Sequence, residues 1–489
     1  MKNLLESFYS HLEKTPSKAA FIDYDQSKNY SWESLEKLSN LIADLSKDNL
    51  NYVLICTQHN IMYPAAIIGA WKSHSVPVMV HENYTEHELK QIQRIMGTNR
   101  MLTLVDESFE LKIIGKYKKL FPNIILISED LLGTQNSTEN SEKVELDNND
   151  FGIGLFTSGS SGPPKLCLFT HRDLYEGALI EKKNDKNLTN AIIANLRPHF
   201  TSAGLNTLWP ALLDGHTNIL AEKIRKTPIN RFFQTFLEST APTVLVLSPT
   251  FIMSLFQDHE DGPVSKYDLP LYFGGSSLPW QMLEKLMDNK FIPSMRYGMT
   301  EVSHIISKMT YTPDLASYDK ADVGPLYSGF EIECDNYTLN IQSPGNATRV
   351  VGIRDIMDFE KPIFLETADK AKIVDGNRLL LAGRDNNSLT MYGFRFNSQQ
   401  VEEVIIEHPS VLDCRVFKVK KEDDRDDRLV ACILLRDDIC MKKEIQELCQ
   451  EMLSPFKWPQ DYLFLKAWPK KANGKIDFNK LIEMSQELP

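Results

Sequence analysis

Apolar residues follow two different spacings along the chain. Short apolar runs, such as residues 51–56, 76–80 and 243–247, are typical of buried strands. Between such runs, apolar residues recur every three or four positions, as in residues 32–45 and 62–71, which predicts helices with a buried face. Strands that alternate with helices in this way predict an α/β fold with a doubly wound, mostly parallel sheet.

Local signals mark where several elements begin. Thr85 and Glu88 have the spacing of a capping box, which predicts a helix just after Thr85. Ser31 is placed to cap the helix that starts at Trp32. A short amphipathic helix is predicted over residues 4–12, a strand over 195–200 and a buried helix over 205–213.

The length of the chain predicts more than one domain. Its 489 residues exceed what one hydrophobic core accommodates. Residues 319–383 contain short strands and turns, and a small α+β pattern follows them. We therefore predict a large N-terminal domain, residues 1–384, with doubly wound sheets and a β-rich subdomain. A small α+β C-terminal domain, residues 385–489, is predicted after it.

Composition and charge narrow the classes of function. The formal net charge of −12 argues against non-specific nucleic-acid binding. The 7 cysteines are scattered without a CxxC pair, as expected for free thiols in a reducing cytoplasm. Since no signal-peptide core and no apolar run of about 18 residues is present, we expect a cytoplasmic protein without a membrane segment.

Residues 157–165 have the composition of a phosphate-binding loop. They read Thr-Ser-Gly-Ser-Ser-Gly-Pro-Pro-Lys, between two runs that predict strands. Glycine lets the backbone approach an anion, and the hydroxyls and Lys165 add donors. A Walker loop is excluded, because Pro164 and Leu166 stand where that motif requires Gly and Ser or Thr. Alone, the stretch is compatible with a phosphate loop or with a polar hairpin turn.

Four further motifs follow this loop. They are Tyr-Gly-Met-Thr-Glu at 297–301, Gly-Arg-Asp at 383–385, Gly-Phe-Arg at 393–395 and Asn-Gly-Lys-Ile at 473–476. In this order and spacing, the series resembles the adenylate-forming, or AMP-binding, superfamily, which includes acyl- and aryl-CoA ligases and stand-alone adenylation enzymes. The resemblance spans residues 15–481, nearly the whole chain.

The resemblance implies that ATP, with Mg²⁺, activates a carboxylic acid to an acyl-adenylate. Glu301 is expected to hold Mg²⁺, Thr300 to lie at the α-phosphate and Lys475 to reach the reacting carboxylate. These three are the expected catalytic residues. Asp369 is expected to bind the ribose, although Ala368 stands where the family has glycine. The other residues expected to bind ATP are Thr157, Ser158, Gly159, Ser160, Ser161, Lys165, Gly275, Ser276, Tyr297 and Arg384.

The resemblance also places an acid pocket around residues 198–205. Amino-acid-activating members have an aspartate where Ser202 stands, and a buried ammonium without a carboxylate is costly. An acyl or aryl acid is therefore favoured over an α-amino acid. His304 has two interpretations, a substrate contact or a structural histidine. The residues expected to bind the substrate are Thr201, Ser202, Tyr272, Gly274, Met299 and His304.

A second half-reaction, transfer of the acyl group to a phosphopantetheine thiol, is implied as well. The thiol belongs to CoA or to a free-standing carrier protein, and the motif at 393–395 is closer to that of carrier-loading members. The small domain is expected to be mobile and to turn about a hinge at Asn386, where the family has Asp or Lys. Thr390 replaces a lysine of the family.

Alternative functions remain open at this point. The departures at Ala368, Asn386 and Thr390 motivate a non-catalytic nucleotide-binding protein on the same scaffold. An amino-acid adenylation enzyme and a luciferase-type oxidation of the adenylate are further alternatives. Acid-dependent pyrophosphate exchange separates an acid-activating enzyme from the non-catalytic protein.

Overall fold

The computed structural model divides the chain into two compact units. The large unit comprises Met1–Glu82, Thr98–Thr157 and Leu166–Gly383, and the small unit comprises Asn83–Gly97, Ser158–Lys165 and Arg384–Pro489. The predicted domain boundary at residues 384 and 385 stays a prediction. The described residues are 2–46, 50–97, 100–130, 143–157, 165–226, 230–256, 262–315, 319, 321–335, 337–352, 356–359, 364–384, 388–392, 394–420, 427–435, 442–469 and 476–488.

Several helices begin where a side chain satisfies one of the first backbone N–H groups. Ser31 and Thr170 accept such bonds, and Thr85 with Glu88 forms the predicted capping box. None of the described helices combines the length and hydrophobicity that a bilayer span requires. They are α1 (Leu4–Lys14), α2 (Trp32–Leu45), α3 (Met62–Lys72), α4 (Glu86–Met96), α5 (Leu111–Leu120), α6 (His171–Asn184), α7 (Ser202–Leu205), α8 (Leu208–Asp214), α9 (Glu222–Lys226), α10 (Asn230–Thr240), α11 (Pro249–Leu255), α12 (Trp280–Asp288), α13 (Ser398–Ile406), α14 (Lys442–Met452) and α15 (Phe478–Gln486).

The first sheet of the large unit has eight strands in the order β14-β13-β12-β11-β9-β10-β1-β2. Its inner neighbours pair in parallel, and only the pairs at its two edges are antiparallel. The strands are β1 (Ala19–Asp23), β2 (Lys28–Ser31), β9 (Ile192–Asn195), β10 (Thr217–Leu220), β11 (Val244–Val246), β12 (Leu269–Phe273), β13 (Phe291–Tyr297) and β14 (Ser307–Thr310).

The second sheet also has eight strands, in the order β19-β18-β8-β7-β4-β3-β5-β6. Together the two sheets confirm the predicted α/β class with doubly wound sheets. The strands are β3 (Tyr52–Cys56), β4 (Val76–Met79), β5 (Met101–Asp106), β6 (Ile124–Ile127), β7 (Phe151–Thr157), β8 (Lys165–Thr170), β18 (Arg349–Val351) and β19 (Ile356–Asp358).

A third, five-stranded sheet forms the β-rich part of the large unit, in the order β15-β21-β20-β17-β16. Its buried residues Leu339 and Ile341 share one apolar cluster with Phe273 and Tyr297 of the first sheet. Because this burial is the main favourable term in folding, the cluster holds the third sheet beside β13. The strands are β15 (Asp322–Pro325), β16 (Glu331–Asp335), β17 (Thr338–Gln342), β20 (Leu365–Val374) and β21 (Arg378–Arg384).

The small unit contains a hairpin and a three-stranded sheet. A buried ion pair within the unit joins α4 to the segment after α14, since Lys457 donates to Glu88 at 2.6 Å. Ser454 donates to the same carboxylate at 2.6 Å. The helices of this unit are α4, α13, α14 and α15, and its strands are β22 (Ser388–Met391), β23 (Phe394–Asn397), β24 (Val411–Val419), β25 (Arg428–Leu435) and β26 (Asp461–Leu465).

Two predicted elements were wrong in their bounds. The strand predicted over 195–200 is Ile192–Asn195, because Asn195 accepts the backbone N–H of Arg197 and Pro198 has none to donate to a neighbouring strand. The helix predicted over 205–213 is two helices, α7 and α8. The chain between β9 and α7 is therefore a loop at the end of a strand.

Buried histidines make the stability of the large unit depend on pH. Burial lowers the pKa of His59, His171 and His216 to about 4. Below about pH 6.5, the ordinary histidine pKa, the unfolded chain binds protons that the folded chain does not. The free energy of unfolding is therefore expected to fall by about 1.4 kcal/mol per pH unit for each histidine as pH decreases from 6.5 to 4.

Urea unfolding at pH 7.5, 6.0 and 5.0 measures this dependence. Burial also raises the pKa of Asp23, to about 6, and that of Glu181, and these carboxyls contribute the opposite sign. The matched variant is His216→Leu, because His216 is 1% exposed and neither ring nitrogen has a hydrogen-bond partner among the described residues. In this variant the free energy of unfolding should fall less steeply with decreasing pH, by the contribution of one histidine. A profile that is flat or rises toward acid contradicts the prediction.

Candidate functional site

The candidate site lies where four parallel strands of the first sheet end. The register aligns Asn195 of β9 with Val246 of β11, Val246 with Tyr272 of β12, and Tyr272 with Ser294 of β13. The segments that follow these strands therefore leave the sheet at one edge. In open α/β sheets, ligands bind at the carboxyl ends of the strands. The predicted segments 274–276 and 297–301 start there, and residues 201–202 follow β9 after a loop of five residues, 196–200.

Tyr297 and Asp369 are in direct contact, although they lie 72 positions apart in the sequence. The Tyr297 hydroxyl donates to Oδ2 of Asp369 at 2.6 Å. Tyr297 is the last residue of β13, and Asp369 lies on β20 of the third sheet. Both are buried, and the backbone N–H of Asp369 donates to Thr367 Oγ1 at 3.1 Å. The structure thus places a buried carboxylate at the edge of the first sheet.

Gly274 and Gly275 bring bare backbone to the same edge. A Cβ on Gly274 would lie 2.3 Å from the carbonyl oxygen of Arg296, so only glycine fits beside β13. Gly275 has φ of +90°, which side chains rarely adopt. Ser276, which follows, is exposed. A flat ligand can therefore approach the backbone closely at this turn.

Thr201 and Ser202 lie at the start of α7. The Thr201 hydroxyl donates to the carbonyl of Pro198 at 2.7 Å and accepts the N–H of Gly204 at 3.2 Å. Thr201 therefore caps the helix, and Ser202 is its half-buried first residue. The substrate role of both residues stays a prediction.

Tyr272 and His304 make structural contacts in the large unit. The Tyr272 hydroxyl donates to Asp185 at 2.9 Å and accepts from Asn187 at 3.0 Å. His304 is 3.1 Å from the hydroxyl of Ser343 and is buried. These bonds favour the structural interpretation of His304, while the substrate role of both residues, and of buried Met299, stays a prediction.

Thr300 and Glu301 are half-buried and lie just after β13. The backbone N–H of Ala347 donates to the carbonyl of Glu301 at 2.9 Å, and the next N–H, of Thr348, donates to Leu168 of β8 at 3.0 Å. Residues 347 and 348 thus tie the Glu301 segment to the second sheet. The described residues include no group of three or more His, Cys, Asp or Glu side chains that could hold a metal ion.

The predicted phosphate loop is described only at its ends. Thr157 is the buried last residue of β7, and Lys165 is the half-buried first residue of β8. Both predicted flanking strands are therefore confirmed. Arg384 ends β21, but its side chain lies outside the described part of the chain. The other predicted site residues outside it are Ser158, Gly159, Ser160, Ser161, Asn386 and Lys475.

Two buried arginines at this sheet were not predicted. Arg296 of β13 donates to Glu181 at 2.5 Å and lies 3.6 Å from Asp185. Arg197 follows β9 and donates to the carbonyl of Gly274 at 2.7 Å. Neither lies in a recognisable sequence motif, and only the position of Arg197 directly before residues 198–205 links it to the predicted acid pocket.

Comparison with known proteins gives the family. A family model described as AMP-binding enzyme matches residues 8–351, and a second one, described as AMP-binding enzyme C-terminal domain, matches residues 400–475. A malonate–CoA ligase of Arabidopsis thaliana is 22% identical over 86% of this chain and 75% of its own length. A D-alanine–D-alanyl carrier protein ligase of Staphylococcus aureus is 23% identical over 86% of each chain.

Solved structures share the fold. An o-succinylbenzoate CoA synthetase of Bacillus subtilis, bound to a product analogue, has a TM-score of 0.81 at 19% identity and covers 100% of each chain. The same Bacillus subtilis enzyme with ATP and magnesium ion has a TM-score of 0.65 at 19% identity, over 97% of this chain and 98% of that one. The family match over most of the sequence confirms the predicted resemblance: this chain belongs to the AMP-binding enzyme family.

Proposed function

We propose that this protein uses ATP to activate a carboxylic acid, releases pyrophosphate and transfers the acyl group from AMP to the phosphopantetheine thiol of CoA or of a separate carrier protein. Family membership supports the class of acid–thiol ligase. The structural observation that carries the proposal is the buried Tyr297–Asp369 contact at the carboxyl edge of the first sheet. It joins two motifs that the resemblance assigns to one nucleotide.

The arrangement suits adenosine binding. Asp369 is acceptor-only when ionised, so it fits the two hydroxyls of a ribose. The Tyr297 ring and the bare backbone at Gly274 and Gly275 fit the two faces of a flat base. The Tyr297 hydroxyl, by donating to Asp369, orients the carboxylate before the ribose arrives.

The chemistry joins anions, because a carboxylate attacks a phosphate. The half-buried carboxylate of Glu301 fits Mg²⁺, which typically takes one or two carboxylates together with phosphate oxygens. When bound, Mg²⁺ neutralises negative charge on the phosphates. We assign Thr157, Thr300 and Lys165 to the phosphates, and Lys475 to the reacting carboxylate. Residues 385–489 are the proposed mobile domain, with its hinge at Asn386.

The proposed acid is not an α-amino acid. Ser202 stands where amino-acid-activating members have aspartate, so this position offers no carboxylate to an ammonium group. The carrier-protein ligase of Staphylococcus aureus acts on D-alanine, which makes D-alanine the necessary comparison acid in any assay. A cytoplasmic location and the absence of nucleic-acid binding stay predictions.

Acid-dependent exchange of radiolabelled pyrophosphate into ATP tests the proposal. We expect exchange with at least one member of a panel of acyl, aryl and dicarboxylic acids. Lys475→Ala should lower the exchange rate by about 100-fold or more, since general acid–base catalysis or electrostatic stabilisation by one group contributes factors of this size. Lys480→Ala, in the same terminal region, is the matched control and should not change the rate.

The contrary outcomes are distinct. ATP binding in calorimetry without exchange for any acid indicates the non-catalytic nucleotide-binding protein. Exchange with D-alanine alone indicates an amino-acid adenylation enzyme. Undiminished exchange in Lys475→Ala removes that residue from the mechanism while leaving the reaction in place.

A further inference from the structure

Arg197 is a buried cation without an anionic partner among the described residues. Its side chain is 9% exposed, and its described hydrogen bonds are one from Nη1 to the carbonyl of Gly274 and one from its backbone to Asn195. Nε has no acceptor in the described part of the chain. Burial lowers its pKa to about 10, so the guanidinium remains charged at neutral pH.

The second buried arginine at the same sheet shows what a structural cation requires here. Arg296 lies between Glu181 and Asp185. Burial opposes its charge, but Glu181 and Asp185 raise its pKa above the ordinary value. Removing a charge from water costs several kcal/mol unless an opposite charge compensates it. Arg197 has no such partner among the described residues, so none of the described contacts offsets the cost of burying its charge.

The position of Arg197 assigns the missing anion to a ligand. The residue follows β9 at the carboxyl edge and precedes the segment 198–205 that we assign to the acid pocket. Its Nη2 lies 3.6 Å from where a Cβ on Gly275 would stand, so the guanidinium faces the glycine turn. The Tyr297–Asp369 pair, assigned to the nucleoside, is supplied by β13 and β20, and the glycine turn therefore borders both the proposed base and the guanidinium.

We propose that Arg197 binds a second carboxylate of the acid substrate, and that the substrate is therefore a dicarboxylic acid. This inference rests on the proposed function. A planar guanidinium binds a carboxylate through paired N–H donors, which fixes its orientation as well as its charge. One carboxylate of the acid would pair with Arg197 while the other remains free to attack the α-phosphate. A buried cation also disfavours an ammonium group in the same pocket.

Pyrophosphate exchange with matched acid pairs tests the inference. The pairs are malonate with propionate, succinate with butyrate, and phthalate with benzoate. In at least one pair, kcat/KM should favour the diacid by about 10- to 100-fold, the range that a charge-assisted hydrogen-bonded pair supplies. Arg197→Gln should abolish this preference, and Arg197→Lys should restore part of it, because lysine keeps the charge but not the fork.

Readouts other than rate separate recognition from packing. The preferred diacid should raise the melting temperature of the wild type and not that of Arg197→Gln. The KM for ATP should be the same in both proteins. If Arg197→Gln does not unfold cooperatively, Arg197→Lys supplies both readouts.

Three results overturn the inference. They are a monoacid used as well as the diacid in every pair, an Arg197→Gln variant that keeps the diacid preference, and a variant whose defect lies in the KM for ATP, which assigns the cation to a nucleotide phosphate. Failure of exchange with every acid is a failure of the proposed function. The thermal shift by diacids then still decides whether Arg197 binds a carboxylate.

Discussion

Asp369→Asn is expected to lower kcat/KM for ATP in the exchange reaction by about 100-fold, which corresponds to about 2.7 kcal/mol. The asparagine keeps the size of the side chain but replaces a charged acceptor with a neutral oxygen and an NH₂ donor. Since hydrogen bonds to a charged group are worth about 1.5–3 kcal/mol, losing the fit to two ribose hydroxyls has an effect of this size. Initial exchange rates at varied ATP measure it.

Two comparison variants sharpen this result. Tyr297→Phe keeps the ring and removes only the hydroxyl that donates to Asp369, so a smaller loss, about 3- to 10-fold, is expected. Asp358→Asn, an exposed carboxylate on β19, should leave the rate unchanged. An Asp369→Asn protein with wild-type kcat/KM for ATP would show that this carboxylate does not bind the nucleotide.

Arg296→Gln is expected to destabilise the large unit by about 3–5 kcal/mol. The change leaves Glu181 buried without its 2.5 Å partner and removes one of the cations near Asp185. Lys308 lies 3.1 Å from Asp185 and still balances that carboxylate, whereas Glu181 loses its cation. Urea or thermal unfolding, followed by the fluorescence of the buried Trp32 and Trp71, measures the loss.

The matched variant for stability is Arg197→Gln, which removes a buried arginine that has no carboxylate partner among the described residues. It should be as stable as the wild type or more stable, because it takes away an uncompensated charge. The two substitutions are thus expected to change the free energy of unfolding by amounts that differ in sign as well as in size. Equal destabilisation by both substitutions would contradict the structural role given to Arg296 and the ligand role given to Arg197.

The sequence predicted the architecture well where the signal is local. The helix Trp32–Leu45 and the capping box at Thr85 are confirmed, because periodic apolar residues and capping side chains act within a few residues of one another. The strand predicted over 195–200 failed, since its apolar residues belong to a loop that Asn195 and Pro198 turn away from the sheet. An apolar run in the sequence indicates burial, and burial alone does not distinguish such a loop from a strand.

By itself the sequence determined the family, the α/β class and the order of the motifs, because these depend on residue types and spacings along one chain. Only the tertiary structure placed Asp369 against Tyr297, since that contact joins strands of two sheets. It also distinguished two arginines that look alike in sequence. Arg296 faces carboxylates that α6 and the residue after it supply, while Arg197 faces the backbone at Gly274, and which neighbours surround a buried charge is decided by how distant segments pack.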